Sequence, residues 1–185
     1  MQGSDILKLP YLHPKKMQTS PLESILTNSY KQEMLSYIDS NPGDFGELIE
    51  LTISDKQPYS WRATWLLWSC MEKNDSRIQP YVSTIVKLIP SFKDGHQRNL
   101  INILLKMEVG EEDEGLLFDA CVDIWLDIKK QSSVRIKAFE VIVGLAKRYP
   151  ELKQEVEVLT DKRFVEPLSA GIKKSFSKMV GDWFV

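Results

Sequence analysis

The 185 residues include 24 lysines and arginines against 26 aspartates and glutamates, with 43% apolar and 27% charged residues overall. That is the balance of one globular domain. The net charge of −2 leaves no surplus of bases for nucleic acid, and no window approaches the ~18 uninterrupted apolar residues of a membrane span. Residues 1–16 lack the apolar centre of a signal peptide, and Cys70 and Cys121 each sit inside an apolar pattern. A disulfide framework is therefore not expected, and a reducing, cytoplasmic setting is.

Residues 1–20 read as a poorly ordered leader, because Pro10, Pro14 and Pro21 interrupt regular helix. Met17 is an alternative start within it. A single domain is expected over 21–185. Ser20-Pro21-Leu22-Glu23 is a capping box with proline at the first helical position. Leu22, Leu26, Tyr30, Met34 and Ile38 extend the helix to about residue 39, with a break near Asn28-Ser29. Asn41-Pro42 opens a second helix with Phe45, Leu48, Ile49 and Thr52 on one stripe. Pro58 opens the next, which Asn74-Asp75-Ser76 breaks. Ile78, Val82, Ile85, Val86 and Ile89 mark another, stopped at Pro90.

After Asp94-Gly95 come Leu100, Ile101, Leu104, Leu105 and Met107, then Gly110. Leu117, Ala120, Cys121, Ile124, Trp125 and Ile128 form the following stripe. Ser132 starts a helix that runs to Arg148, a short helix carries Leu152, Val156 and Leu159, and the last begins near Pro167. No stretch alternates at period two for long enough to argue a strand. About nine helices are predicted.

The helix openings near residues 21, 58, 95, 133 and 166 are 37, 37, 38 and 33 apart. Arg62, Arg98 and Arg135 recur at one point of the cycle, 36 and 37 residues apart. A fixed period holding two helices per unit is the mark of an α-solenoid, because a lone hairpin cannot cover its own apolar stripe. The expected fold is all-α: a right-handed superhelix of about four antiparallel helix pairs plus a terminal helix.

Val134-Arg135, Ala138, Val141-Ile142 and Leu145 resemble the first helix of a HEAT repeat. That helix places valine-arginine before a small residue and then a branched apolar pair. Arg98 with Ile101, Leu104 and Leu105 is similar more loosely, as is Trp61-Arg62-Ala63, where tryptophans replace small residues. The resemblance covers about residues 21–180. It implies a non-enzymatic scaffold whose second helices line a concave binding face, with no cofactor and no metal. A HEAT-like DNA-binding protein, or a relative of alkylpurine DNA glycosylases, is the alternative implied.

Asp119, Asp123 and Asp127 form an i, i+4, i+8 row, and residues 111–128 hold seven acids and no base. On a concave face this row suits a basic protein or peptide. As an ordinary solvated surface, it would be paired to Lys129, Lys130 and Lys137. Trp61, Trp65 and Trp68 share a helix face. Their register with Val134, Ala138 and Val141 places them in the core, while an open aromatic wall would make Trp61 and Trp65 partner contacts.

Arg62, Arg98 and Arg135 are expected as an inter-repeat ladder to loop acids such as Asp75. Trp183-Phe184-Val185 either caps the solenoid or docks a second copy into a weak dimer. His13 and His96 are the two histidines. Neither belongs to a zinc, P-loop or nucleophile-elbow pattern, so no catalytic residue is assigned.

Overall fold

The computed structural model describes residues 19–184, with side chains through Gly181. Most of the leader, including Met17 and His13, therefore lies outside the described residues, as do Val185 and the side chains expected to cap or dock. Eleven α-helices and no strand occur among the described residues.

The first capping box forms as the sequence dictates. The Glu23 amide donates to Ser20 Oγ at 3.0 Å and the Ser20 amide donates to Glu23 Oε2 at 3.1 Å. It starts α1 (Pro21–Asn28), which stops at the predicted break before α2 (Lys31–Ser40). Next come α3 (Phe45–Ile53), α4 (Tyr59–Cys70) and α5 (Val82–Leu88). Then follow α6 (Asp94–Leu104), α7 (Glu111–Leu126) and α8 (Ser132–Arg148). The chain closes with α9 (Lys153–Val158), α10 (Lys162–Val165) and α11 (Ala170–Phe184).

Pro42, Pro80, Pro90 and Pro150 each lie in a three-residue 3₁₀ turn beside a helix. Proline fixes φ and needs no amide partner, so it suits these tight entries and exits. Asn74 holds the left-handed turn after α4 at φ 52°, a conformation that asparagine tolerates. The short α10 has no counterpart in the sequence pattern. Asp161 caps it by accepting from the Arg163 amide at 2.9 Å.

The helices form two rows. In one, α2, α4, α6, α8 and α11 lie side by side; in the other, α3, α5 and α7 follow one another. The tightest pairs are α3 with α4 and α7 with α8. Each joins the second helix of one predicted unit to the first helix of the next, so the units are mutually dependent. Hydrogen bonds between units confirm the period. Lys130 Nζ reaches Asp94, the Gln131 amide reaches Asp94, and the Ser169 amide reaches Ser132, across 36, 37 and 37 residues.

At the C-terminal end Trp125, Phe139 and Phe176 form an aromatic cluster. Trp125 stacks on Phe176 at 5.5 Å between centroids and lies 4.5 Å from Phe139. The fully buried Trp125 indole donates to the Leu159 carbonyl at 2.8 Å.

Candidate interaction surfaces

Helix α7 begins with Glu111, Glu112, Asp113 and Glu114, where carboxylates complement the exposed amides of a helix start. Two of these acids turn inward. Asp113 accepts from the Ser83 hydroxyl at 2.9 Å, and Glu114 accepts from the Tyr149 hydroxyl at 2.6 Å and pairs with Arg148. Leu117, Phe118, Cys121, Ile124 and Trp125 cover the core. The outer face is then Leu116, Asp119, Asp123 and Leu126 at helical spacing.

Leu116 is 50% exposed and Leu126 39%. Asp119 and Asp123 are exposed, and their carboxylates make no hydrogen bond among the described residues. Two of the three expected lysine partners are engaged elsewhere: Lys130 pairs with Asp94 and Lys137 with Glu140. Asp127 departs from the row, because it lies past the helix end and its carboxylate accepts from the Lys129 amide at 3.0 Å. Beside Asp119 lies a depression of about 290 Å³, with Phe118, Leu145 and Leu152 as apolar lining and Glu111 as a further acid.

The aromatic face of α4 is not sealed into the core as its register had suggested. Trp61 is 42% exposed, and Trp65 and Trp68 are half-buried. The register-equivalent residues Val134, Ala138 and Val141 on α8 are buried. Trp61 and Trp65 belong to the α4–α6 row, whereas Asp119 and Asp123 belong to the α3–α5–α7 row. The aromatic and acidic candidates therefore form two surfaces, not one.

The arginines do not reach loop acids. Asp75 instead pairs with its neighbour Arg77 at 2.7 Å. Arg135, 1% exposed, donates twice to the Trp125 carbonyl, at 3.0 and 2.9 Å, and once to the Phe164 carbonyl at 2.7 Å. It thus satisfies carbonyls at the ends of α7 and α10 that no intrahelical amide can reach. Arg62 does the same more lightly, donating to the Ser29 carbonyl at the end of α1 at 3.0 Å. Arg98 has no hydrogen-bonding partner among the described residues.

Neither cysteine is activated as a nucleophile. Burial pushes the Cys70 thiol up to about 11 and raises Cys121 further, opposite to what a thiolate nucleophile needs. His96 is held neutral by burial. Its Nε2 lies 2.8 Å from the Thr64 hydroxyl and 3.2 Å from the Thr52 carbonyl. Because the carbonyl can only accept, Nε2 is assigned the proton. Among the described residues no group of histidine, cysteine and carboxylates could hold a metal ion, and no helix is long and apolar enough to cross a membrane.

Sequence reasoning missed Leu116 and Leu126, although their spacing of three residues from the aspartates was legible. It also missed that Arg98 is the one register arginine left without a partner among the described residues. No curated protein and no solved structure matches the chain significantly. A family model described as a HEAT repeat domain matches residues 19–181, nearly the whole of the described chain. With the two helical rows and the inter-unit bonds, that match makes the chain a member of the HEAT repeat domain family.

Proposed function

We propose that the chain is a non-enzymatic interaction module that binds a basic segment of a partner protein on the outer face of α7. The carrying observation is the Leu116–Asp119–Asp123–Leu126 stripe: two exposed leucines bracket two aspartates whose carboxylates bond nothing among the described residues. Apolar contacts supply most of the affinity at such a stripe, and the carboxylates supply steering and choice of partner. The adjoining depression, apolar with an acidic rim, suits a lysine or arginine, whose stem is apolar and whose head is charged. A duplex nucleic acid is disfavoured at this face, because phosphates need clustered bases.

Asp119→Lys with Asp123→Lys tests the reading. The double variant is expected to lose the partner retained by the wild-type chain in affinity capture, with an unchanged melting temperature. Unchanged capture by the double variant removes the acidic stripe from the account.

A further inference from the structure

The α4–α6 side carries the reverse charge pattern. Arg98, which has no partner among the described residues, lines a depression of about 260 Å³ together with Met34, Trp61, Arg62 and Trp65. Arg62 has one guanidinium nitrogen on the Ser29 carbonyl, while its buried Nε has no partner. Lys31 Nζ lies 5.5 Å from the centroid of the Trp65 ring. Across Trp61 a second hollow of about 590 Å³ is bounded by Gln57, Phe92, Lys93 and His96, with Asp55 as the one carboxylate in its wall.

Trp61 is the partition between the two hollows, and Gly95 lies against its ring. A Cβ at Gly95 would stand 3.1 Å from the indole nitrogen, so any larger residue there would push the ring back by a few tenths of an ångström. The acid nearest in sequence to Lys93 is Asp94, and it is already engaged by Lys130 and the Gln131 amide. Lys31, Arg62, Lys93 and Arg98 thus gather around the exposed Trp61 and the half-buried Trp65 on a chain whose net charge is −2.

We infer that the groove around Trp61 and Trp65 binds an acidic linear segment of a partner protein. Its carboxylates pair with Arg98, Lys93 and Lys31, and one apolar side chain lies among Trp61, Trp65 and Met34. Arginine suits this role because its planar fork takes a carboxylate through two parallel bonds. Tryptophan suits it because a large rigid ring loses little entropy on contact. A peptide fits better than a nucleic acid: the smaller hollow is the size of one or two side chains, and Asp55 interrupts the basic track that a phosphate backbone would follow.

The test uses the full chain and fluorescein-labelled peptides read by fluorescence anisotropy. One peptide is rich in glutamate and aspartate around a central leucine-phenylalanine pair. The second is its glutamine and asparagine isostere, and the third its lysine counterpart. At low salt the acidic peptide is expected to bind about ten-fold tighter than the isostere, an advantage that about 500 mM salt largely removes. Arg98→Glu with Lys93→Glu is expected to abolish that advantage while the melting temperature stays at the wild-type value, since neither side chain bonds within the described chain. Trp61→Ser weakens the acidic peptide and the isostere alike.

Asp119→Lys with Asp123→Lys leaves acidic-peptide binding unchanged, which separates this surface from the α7 reading. Equal binding of acidic peptide and isostere overturns the inference, and so does displacement of the acidic peptide by an oligonucleotide at lower concentration. Self-association that disappears in the Asp119 and Asp123 double variant also overturns it, by making the acidic face of a second copy the occupant.

Discussion

Replacing each register arginine by methionine gives a graded series from three positions that look alike in the sequence. At Arg135 the substitution removes three hydrogen bonds and leaves the carbonyls of Trp125 and Phe164 unpaired in a dry interior. At about 1–3 kcal/mol for each stranded group, less what is recovered by no longer burying a charge, the loss is about 2–4 kcal/mol. At Arg62 one bond to the Ser29 carbonyl is lost on a half-buried side chain, for about 1 kcal/mol. At Arg98 nothing within the described chain is lost, and the change should stay within about 0.5 kcal/mol.

In a chain of this size a kilocalorie moves the melting temperature by roughly 2–4 °C. Arg135→Met should therefore melt roughly 4–16 °C below wild type and Arg62→Met roughly 2–4 °C below, with Arg98→Met indistinguishable. Urea unfolding followed by circular dichroism, with slopes compared across the series, gives the same order in free energy. Equal losses at all three sites, or an Arg98→Met as costly as Arg135→Met, would refute the assignment of the first two as helix-end caps.

A thiol reagent at about pH 8 should label half-buried Cys70 slowly and Cys121 only on unfolding; two equally fast thiols would contradict the packing of α7. Asp75 is held below the usual carboxylate range chiefly by the Arg77 guanidinium, and backbone amides contribute. Its stabilisation is therefore complete above its unfolded value near 3.9 and is lost as pH falls through the lower folded value. Asp75→Asn should cost about 1–3 kcal/mol near neutrality and flatten that acid limb of a urea-midpoint profile; an unaltered limb would show that other carboxylates govern it.

His96 acts higher on the scale. Burial lowers its folded value, so the unfolded chain binds the proton first and stability declines as pH drops below about 6.5. His96→Gln should remove that shallower slope, and persistence of the slope would exclude His96 as its source.

Helix existence was legible because apolar spacing and punctuation agreed almost everywhere. Ser20-Pro21-Leu22-Glu23 forms its capping box, and the break near Asn28-Ser29 separates α1 from α2. The period was legible too, since it reappears as hydrogen bonds one unit apart. Burial was less legible where it depends on a neighbour. Trp61 and Val134 occupy equivalent positions, yet Trp61 is 42% exposed and Val134 fully buried.

The same limit applies to charge. Seven acids between residues 111 and 128 look uniform in the sequence, but Asp113 and Glu114 fold inward and Asp127 turns away to meet an amide. Only coordinates separate internal anchors from exposed groups, because the difference lies in residues some 30 positions distant, such as Ser83 and Tyr149.

The bonds that cross from unit to unit also set the grain along which this molecule can be lengthened or cut. Asp94 is anchored to Lys130 and Gln131, and Ser132 to Ser169, so donor and acceptor always come from consecutive modules. An extra copy of a whole module, spliced in register, would meet complementary groups at both seams. A half-module excision would sever one helix from the row-mate that shelters it and leave raw seams on either side.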